Sequence, residues 1–383
     1  MRSKDEHGGM SIDRERCIRA LTEISAHPTA SFFEARAASY ILSELGRLGL
    51  PYQQDQYGNI IASYGDSSQR PLAIVAHMDH PAFEVVDATH GRLLGHVKKE
   101  CFEKPVNVRV FPALPPGHVS RITHHASREL DEGIRGRIIG VQGSGDEGLL
   151  FDLELDSAPP ENAFGVWDLP PFELQGDLAY MRAIDDVVGC AAILLALEEM
   201  VERKSPCRCL GVFTRAEEAG FIGAAPLAQD KIIPTDAFVV SLEMSKALPG
   251  AEIGGGPVIR VGDFERTFDD SAESILRAAW RSMKDENPEV KVQRQLMSGG
   301  RCEAGVFMLE GYLTTAMALP LGNYHNMGED MTIQPEYIHL DDLATCVELL
   351  VRAAELTDTD PTPGFRERYQ SKAEKFKDRL KGA

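Results

Sequence analysis

The sequence lacks three features that would each place the chain in a special class of protein. No window approaches 18 consecutive apolar residues, so we expect no membrane-spanning helix. The polar N-terminus is not followed by an apolar core, so we expect no secretory signal. The seven cysteines show no regular spacing, which excludes a disulfide framework and predicts a reduced, cytoplasmic protein.

Basic residues are also scarce relative to acidic ones. The 383 residues include 40 Lys and Arg against 59 Asp and Glu, for a formal net charge of −19. Because so acidic a surface repels phosphate backbones and anionic lipids, we expect neither nucleic-acid nor membrane partners. Apolar residues make up 43% and charged residues 26%, which is typical of a well-packed globular protein. The length predicts two domains, or one large domain with an insertion.

Five short apolar runs each lead to polar side chains of the kind that bind metal ions. The runs are 71–76, 178–184, 210–214, 238–242 and 313–319, and the side chains that follow them are His77 and Asp79, Asp185 and Asp186, Glu217 and Glu218, Glu243, and His325. Such runs predict strands buried on both faces, hence a mostly parallel sheet. Predicted helices at 187–201, 272–283 and 340–356 lie between or after these strands, which indicates the α/β class. Ligands of such folds bind beyond the carboxyl ends of the strands, where all these side chains fall.

A different composition separates the first two runs. Residues 84–175 are rich in proline, contain short strand-like pieces and show no long helical pattern. This stretch predicts a small β-rich domain inserted into a discontinuous catalytic domain formed by residues 1–83 and 176–383.

Two local patterns predict helices near the ends of the chain. Ser31 and Glu34 match a capping box that would open a helix from Phe32 to about Leu45. From Phe365 to Lys381, apolar residues share one helical face among seven Lys and Arg. That pattern favours a docked helix with a solvated basic face, with a partner-binding arm as the alternative.

The polar side chains together could form a metal centre. Imidazoles and carboxylates without cysteine suit zinc, cobalt or manganese, and two ions fit if one carboxylate bridges them. Asp79 lies two residues after His77 on an extended chain, so it can hydrogen-bond the distal nitrogen of that imidazole. Of Glu217 and Glu218, one can bind metal while the other accepts the proton of a water molecule.

Each of these pieces has a structural alternative when taken alone. An HxD pair is commonly structural, the pair Asp185 and Asp186 is a common helix cap, and two adjacent glutamates are commonly a surface pair. We interpret His80 and the pair His124–His125 as structural histidines that do not join the centre.

The joint pattern resembles the dinuclear zinc aminopeptidases that include glutamyl and tetrahedral (deblocking) aminopeptidases and proteins called endoglucanases. Residues 76–80 (AHMDH) resemble the AHMDE-type motif of that family, and 183–189 (AIDDVVG) resemble A-[LF]-D-D/N-R-x-G. Residues 214–220 (TRAEEAG) resemble T-x-x-E-E-x-G, and 324–329 (YHNMGE) are similar to Y-x-H-S-x-x-E. The longest gap between successive ligands lies between the first and the second, whereas the related carboxypeptidases and deacylases carry their extra domain between the fourth and fifth.

The resemblance implies a three-layer αβα zinc-peptidase domain with a barrel-like inserted dimerisation domain. It implies two divalent ions per subunit, zinc as the first choice and cobalt or manganese as alternatives. The implied ligands are His77, Asp185 and Glu243 for one ion and Asp185, Glu218 and His325 for the other, with Asp185 as the bridge. Glu217 would be the general base, and Asp79 would orient His77.

Three positions depart from the family pattern. Glu243 stands where the family has aspartate, Val187 stands in place of an arginine, and Arg301-Cys302-Glu303 replaces Thr-Asp. The expected function is that of a cytoplasmic metallo-aminopeptidase acting on short peptides, assembled as a homodimer or a twelve-subunit tetrahedral shell. Two alternatives are a deacylase or carboxypeptidase that ignores a free N-terminal amine, and a metal-binding scaffold without turnover.

Overall fold

A computed structural model describes residues 12–66, 68–114, 132–143, 148–359 and 363–381. Its α-helices are α1 (Arg14–Ser25), α2 (Ala35–Leu48), α3 (Val187–Arg203), α4 (Ala224–Gln229), α5 (Asp270–Glu286), α6 (Ala304–Leu309), α7 (Leu340–Glu355) and α8 (Pro363–Phe376). Its strands are β1 (Tyr52–Gln54), β2 (Ile60–Tyr64), β3 (Leu72–His77), β4 (Ala82–Val85), β5 (His90–Leu94), β6 (Val106–Pro112), β7 (Ile134–Gln142), β8 (Leu150–Leu155), β9 (Ala163–Trp167), β10 (Phe172–Gln175), β11 (Leu178–Met181), β12 (Cys209–Thr214), β13 (Phe238–Lys246), β14 (Val258–Gly262), β15 (Gln293–Leu296), β16 (Leu313–Leu321) and β17 (Glu336–His339).

The central sheet has eight strands in the order β1-β2-β12-β3-β13-β16-β14-β15. Its four middle strands, β12, β3, β13 and β16, run parallel to one another. Two antiparallel strands extend it at one end, and β14 pairs antiparallel with β16 at the other. All six residues of β3 are buried, as the continuous apolar run predicts for a central parallel strand.

Helices cover both faces of this sheet. Side chains alternate along a strand, so Leu72 and Ile74 pack into one core with α3, whereas Ala73 and Val75 pack into another with α4 and α6. The three-layer α/β prediction is therefore confirmed. The helices predicted at 187–201, 272–283 and 340–356 are also present, as α3, α5 and α7.

Strands β4 to β9 close into a six-stranded antiparallel barrel between β3 and the rest of the sheet. Its core is aromatic: Phe102 and Phe151 have ring centroids 4.7 Å apart, and Trp167 lies 5.5 Å from Phe102. A side chain at Gly165 would collide with the ring of Phe83, so a glycine is required there. The barrel-like character expected of this β-rich stretch is confirmed.

Three local predictions are wrong. The run 178–184 contributes β11, which belongs to a separate antiparallel sheet with β10 and β17 and buries only alternate residues. Helix α2 begins at Ala35 without a side-chain cap, because the side chains of Ser31 and Glu34 bind elsewhere. All described side chains from Glu367 to Lys381 are exposed, so this terminal segment does not dock through them.

No helix in the described ranges combines the length and the apolar character that a bilayer crossing requires.

Candidate metal centre

The parallel strands bring the predicted site residues to one edge of the sheet. His77 is the last residue of β3, and Glu217 and Glu218 lie in the loop that follows β12. Glu243 lies within β13, the other neighbour of β3. His325 lies in a short 3-10 turn after β16.

Asp185 reaches the same edge from a different element. It precedes α3, is joined by a cis peptide bond to Asp186, and is buried. Glu336 of β17 holds the segment in place, since its Oε2 accepts the backbone N–H groups of Ile184 at 2.7 Å and Asp185 at 3.1 Å.

The side chains form two groups, and within each group the ligand atoms lie within 4.8 Å of one another. One group is His77, Glu217 and Glu243, and the other is Asp185, Glu218 and His325. The carboxylate of Asp185 lies between them, with Oδ1 3.6 Å from His77 Nε2 and Oδ2 3.5 Å from His325 Nε2. This placement would allow Asp185 to contact ions on both sides. Glu217 Oε2 is 3.8 Å from His77 Nε2, so the predicted base is itself a member of the first group.

The residues present fit divalent cations. Asp185 Oδ1 and Glu243 Oε1 are both buried and have no hydrogen-bond partner among the described residues. A buried carboxylate oxygen without a partner is costly, and a cation would satisfy it. The donors are imidazole nitrogens and carboxylate oxygens, which suit zinc, cobalt or manganese.

The electrostatics of the metal-free centre favour bound protons. Burial, reinforced by the carboxylates of Glu243 and Glu218, holds the pKa of Glu217 well above its usual range. Burial likewise raises the pKa of Glu243 to about 8. Burial alone would lower the pKa of His77, but the carboxylates of Glu217 and Asp185 outweigh it and raise that pKa. A divalent ion entering this group must therefore displace protons at neutral pH.

Asp185 shows the opposite balance. Burial would raise the pKa of its carboxyl, but contacts with His325 and His77 hold that pKa below its usual value. The carboxylate that lies between the two groups is therefore ionised without metal.

Asp79 contacts more than the imidazole that it was predicted to orient. The 3.1 Å contact of His77 Nδ1 is with the backbone carbonyl of Asp79, whereas the carboxylate Oδ1 is 3.5 Å away. That carboxylate accepts the N–H groups of Glu217 at 2.9 Å and Glu218 at 3.1 Å, and the hydroxyl of Ser31 at 2.6 Å. Asp79 thus ties the loop after β12 to the end of β3.

Sequence reasoning missed residues that hold the ligand-bearing segments from behind. Glu336 accepts the backbone N–H of Asp185 through Oε2, and its Oε1 accepts the backbone N–H of His325 at 2.8 Å. His80, which the sequence predicts to be structural, contacts the backbone carbonyl of Asp185 through Nδ1. Its Nε2 lies 2.9 Å from Asn326 Oδ1. No motif marks Glu336, because its partners are backbone groups far along the chain. The pair at positions 124 and 125 lies outside the described residues.

The segment that departs from the family pattern near 301 interacts electrostatically with the centre through Glu303. Glu303 precedes α6, is buried, and leaves Oε1 without a hydrogen-bond partner among the described residues. Burial raises the pKa of its carboxyl to about 7.

Comparison with known proteins identifies the architecture. Residues 162–349 match the family model described as M42 glutamyl aminopeptidase. A protein described as an aminopeptidase from Acetivibrio thermocellus is 28% identical over 187 residues, covering 47% of this chain and 52% of that protein. The chain thus matches about half the length of this curated relative.

Solved structures resemble the whole fold at low sequence identity. The TET1 peptidase of Pyrococcus horikoshii superposes with a TM-score of 0.67 at 22% identity, over 88% of this chain and 99% of that one. An aminopeptidase from Desulfurococcus kamchatkensis gives 0.69 at 18% identity, over 89% and 95% of the two chains. A Thermotoga maritima structure described as an endoglucanase gives 0.62 at 18% identity, over 88% and 98%.

The three-layer domain with its inserted barrel is the fold of these solved peptidase structures. Over residues 162–349 the chain is similar to the M42 family, whose model is described as glutamyl aminopeptidase. The family resemblance of the sequence motifs is confirmed.

Proposed function

We propose that this chain is a metal-dependent aminopeptidase that removes N-terminal residues from short peptides. The observation that carries the proposal is the position of the Asp185 carboxylate, 3.6 Å from His77 Nε2 and 3.5 Å from His325 Nε2, with Glu217 3.8 Å from the same nitrogen of His77. The match to the M42 family model and the aminopeptidase names of the relatives support the reaction class.

We assign His77, Asp185 and Glu243 to one ion and Asp185, Glu218 and His325 to the other, with zinc as the first choice and cobalt or manganese as substitutes. When bound, a pair of such ions polarises a carbonyl and lowers the pKa of water. Glu243, longer by one methylene than the aspartate usual in the family, brings its unpartnered Oε1 to this first group.

Glu217 is the general base of the proposal. Its side chain is partly buried and lies 3.8 Å from His77, within the first ligand group. A raised pKa suits a group that must take up and release a proton near neutral pH. Glu217 accepts the proton of the attacking water and delivers it to the leaving amine. Asp79 holds the backbone of Glu217 and lies against His77.

The test is release of N-terminal residues from a peptide library, with free and acetylated N-termini compared by mass spectrometry. We expect release to require added Zn²⁺, Co²⁺ or Mn²⁺ and a free amine. Replacing the base, Glu217→Gln, should lower turnover by about 10²–10⁴-fold, since general-base catalysis contributes that much. The variant should keep two ions per chain.

Other outcomes would contradict this function. Equal cleavage of acetylated peptides would favour the deacylase alternative. Two bound ions without turnover in the unchanged protein would leave only the metal-binding scaffold.

We also propose that copies of the chain assemble through the barrel-containing region 84–175. The support is that the Pyrococcus horikoshii peptidase is described as assembling into a tetrahedron or a large octahedral shell. Light scattering of the purified chain tests this, and a monomer would refute it. All seven cysteines are free and buried, which supports a cytoplasmic location.

A further inference from the structure

The loop that carries Glu217 and Glu218 has backbone N–H groups that are held by side chains. Its four consecutive backbone N–H groups all donate to buried side-chain oxygens. The donor and acceptor pairs are Arg215 to Asn59 Oδ1 at 3.1 Å, Ala216 to Glu34 Oε1 at 3.0 Å, Glu217 to Asp79 Oδ1 at 2.9 Å, and Glu218 to Asp79 Oδ2 at 3.1 Å. The N–H side of the loop is therefore held by three side chains that are distant in sequence, while the carbonyls of residues 215–217 accept backbone N–H groups of residues 220–223.

Ala216 is the residue that most needs such support. Its φ is 50°, in the left-handed region that a residue with a Cβ rarely adopts. A backbone held in this region persists only where surrounding contacts enforce it. One such contact is the hydrogen bond that the Ala216 N–H donates to Glu34 Oε1.

Glu34 is itself firmly placed. Its side chain is fully buried, and Oε2 accepts from Arg215 Nε at 2.9 Å and lies 2.7 Å from Nη2 of the same guanidinium. Oε1 also accepts the N–H of Phe32 at 2.9 Å. Burial raises the pKa of the Glu34 carboxyl, and the Arg215 guanidinium opposes that shift by compensating the buried charge.

We infer that Glu34 is a positioning residue that fixes the loop bearing the proposed base Glu217 and the proposed ligand Glu218. It acts by holding Ala216 and Arg215 and is not a member of either ligand group. The roles of Glu217 and Glu218 rest on the proposed function, whereas the loop geometry does not. Displacement of a reacting group by about 1 Å can lower a rate about 10²-fold, so the loop must be held closely.

The same contacts explain why the predicted capping box is not formed. Ser31 donates to Asp79 and Glu34 accepts from Ala216, so both residues of the motif hold the site instead of capping α2.

The test compares Glu34→Gln with the unchanged protein, fully loaded with Zn²⁺. The amide keeps the shape of the side chain but loses the charge and one acceptor oxygen. We expect kcat for peptide release to fall at least 10-fold while KM changes less than twofold. Hydrogen–deuterium exchange should become faster in the peptide that contains residues 215–218, a readout that does not depend on turnover.

A second substitution separates positioning from general damage. Glycine enters the left-handed region without penalty, so adding Ala216→Gly to Glu34→Gln should restore kcat at least threefold. The matched control is Glu348→Gln, which removes another buried carboxylate paired with arginines, Arg203 and Arg352. It should leave kcat and the exchange of the loop unchanged.

Unchanged kcat and loop exchange in Glu34→Gln would overturn the inference. Equal losses in Glu34→Gln and Glu348→Gln would overturn it too, because they would indicate general destabilisation. If the unchanged protein releases no amino acid, the proposed function fails, while faster loop exchange confined to Glu34→Gln still supports the positioning role.

Discussion

Without bound metal, the protein should become less stable as the pH rises from 5 to 8. In the metal-free fold, burial raises the pKa of Glu243 to about 8 from an ordinary value of 4.5. The folded chain therefore binds this proton more tightly than the unfolded chain does. The resulting stability is fully present below pH 4.5 and is lost as the pH rises through about 8.

The expected loss is large compared with typical protein stability. Each pKa unit corresponds to about 1.4 kcal/mol, so the shift at Glu243 amounts to roughly 4–5 kcal/mol of unfolding free energy. Whole domains are stable by only about 5–15 kcal/mol. The raised pKa values of Glu217, caused by burial, and of His77, caused by the surrounding carboxylates, act in the same direction.

The assay is urea unfolding in the presence of a chelator at pH 5, 6.5 and 8. Glu243→Gln should flatten the pH dependence, whereas Glu348→Gln, at a buried carboxylate away from the centre, should preserve it. Added Zn²⁺ should restore stability at pH 8, because ions that bind only the folded state stabilise it. Equal stability of the chelated protein at pH 5 and pH 8, or the same slope in Glu243→Gln, would refute the reasoning.

Two further predictions test the packing around the centre and within the barrel. A Cβ on Gly189 would collide with the carboxylate of Asp186, whose Oδ2 accepts the backbone N–H of His77 at 3.2 Å. Gly189→Ala should therefore weaken Zn²⁺ binding about 10–100-fold in calorimetry, and unchanged affinity would contradict this. Phe151 packs in the barrel against Phe102, so Phe151→Ala should lower the unfolding free energy by about 3–5 kcal/mol in urea titrations, and a loss below 1 kcal/mol would contradict this.

The fold was predictable wherever local patterns reflect burial. The runs 71–76 and 210–214 are apolar because β3 and β12 are covered on both faces, and helix α3 is apolar almost all round because it packs within the core. The run 178–184 looked similar, but its strand β11 buries only alternate residues in a separate sheet. An apolar run indicates burial without specifying the sheet that provides it.

The site was predictable in part because its residues lie in short local patterns. His77, Asp185, Glu218, Glu243 and His325 follow recognisable motifs, and the structure brings all of them together. Their roles remain predictions, to be tested by metal binding and turnover. Only the distances between side chains showed that Glu217 lies in the group of His77 and Glu243.

The sequence by itself determined the alternation of strands and helices, the family motifs and the residues able to bind metal, because each depends on residue type and short-range spacing. Only the tertiary structure showed that Glu34, Asn59 and Glu336 hold the loops of the centre. These side chains accept backbone N–H groups 11 to 182 positions away in the chain. A backbone N–H is the same in nearly every residue, so its partner leaves no pattern in the sequence, and only folding reveals the pair.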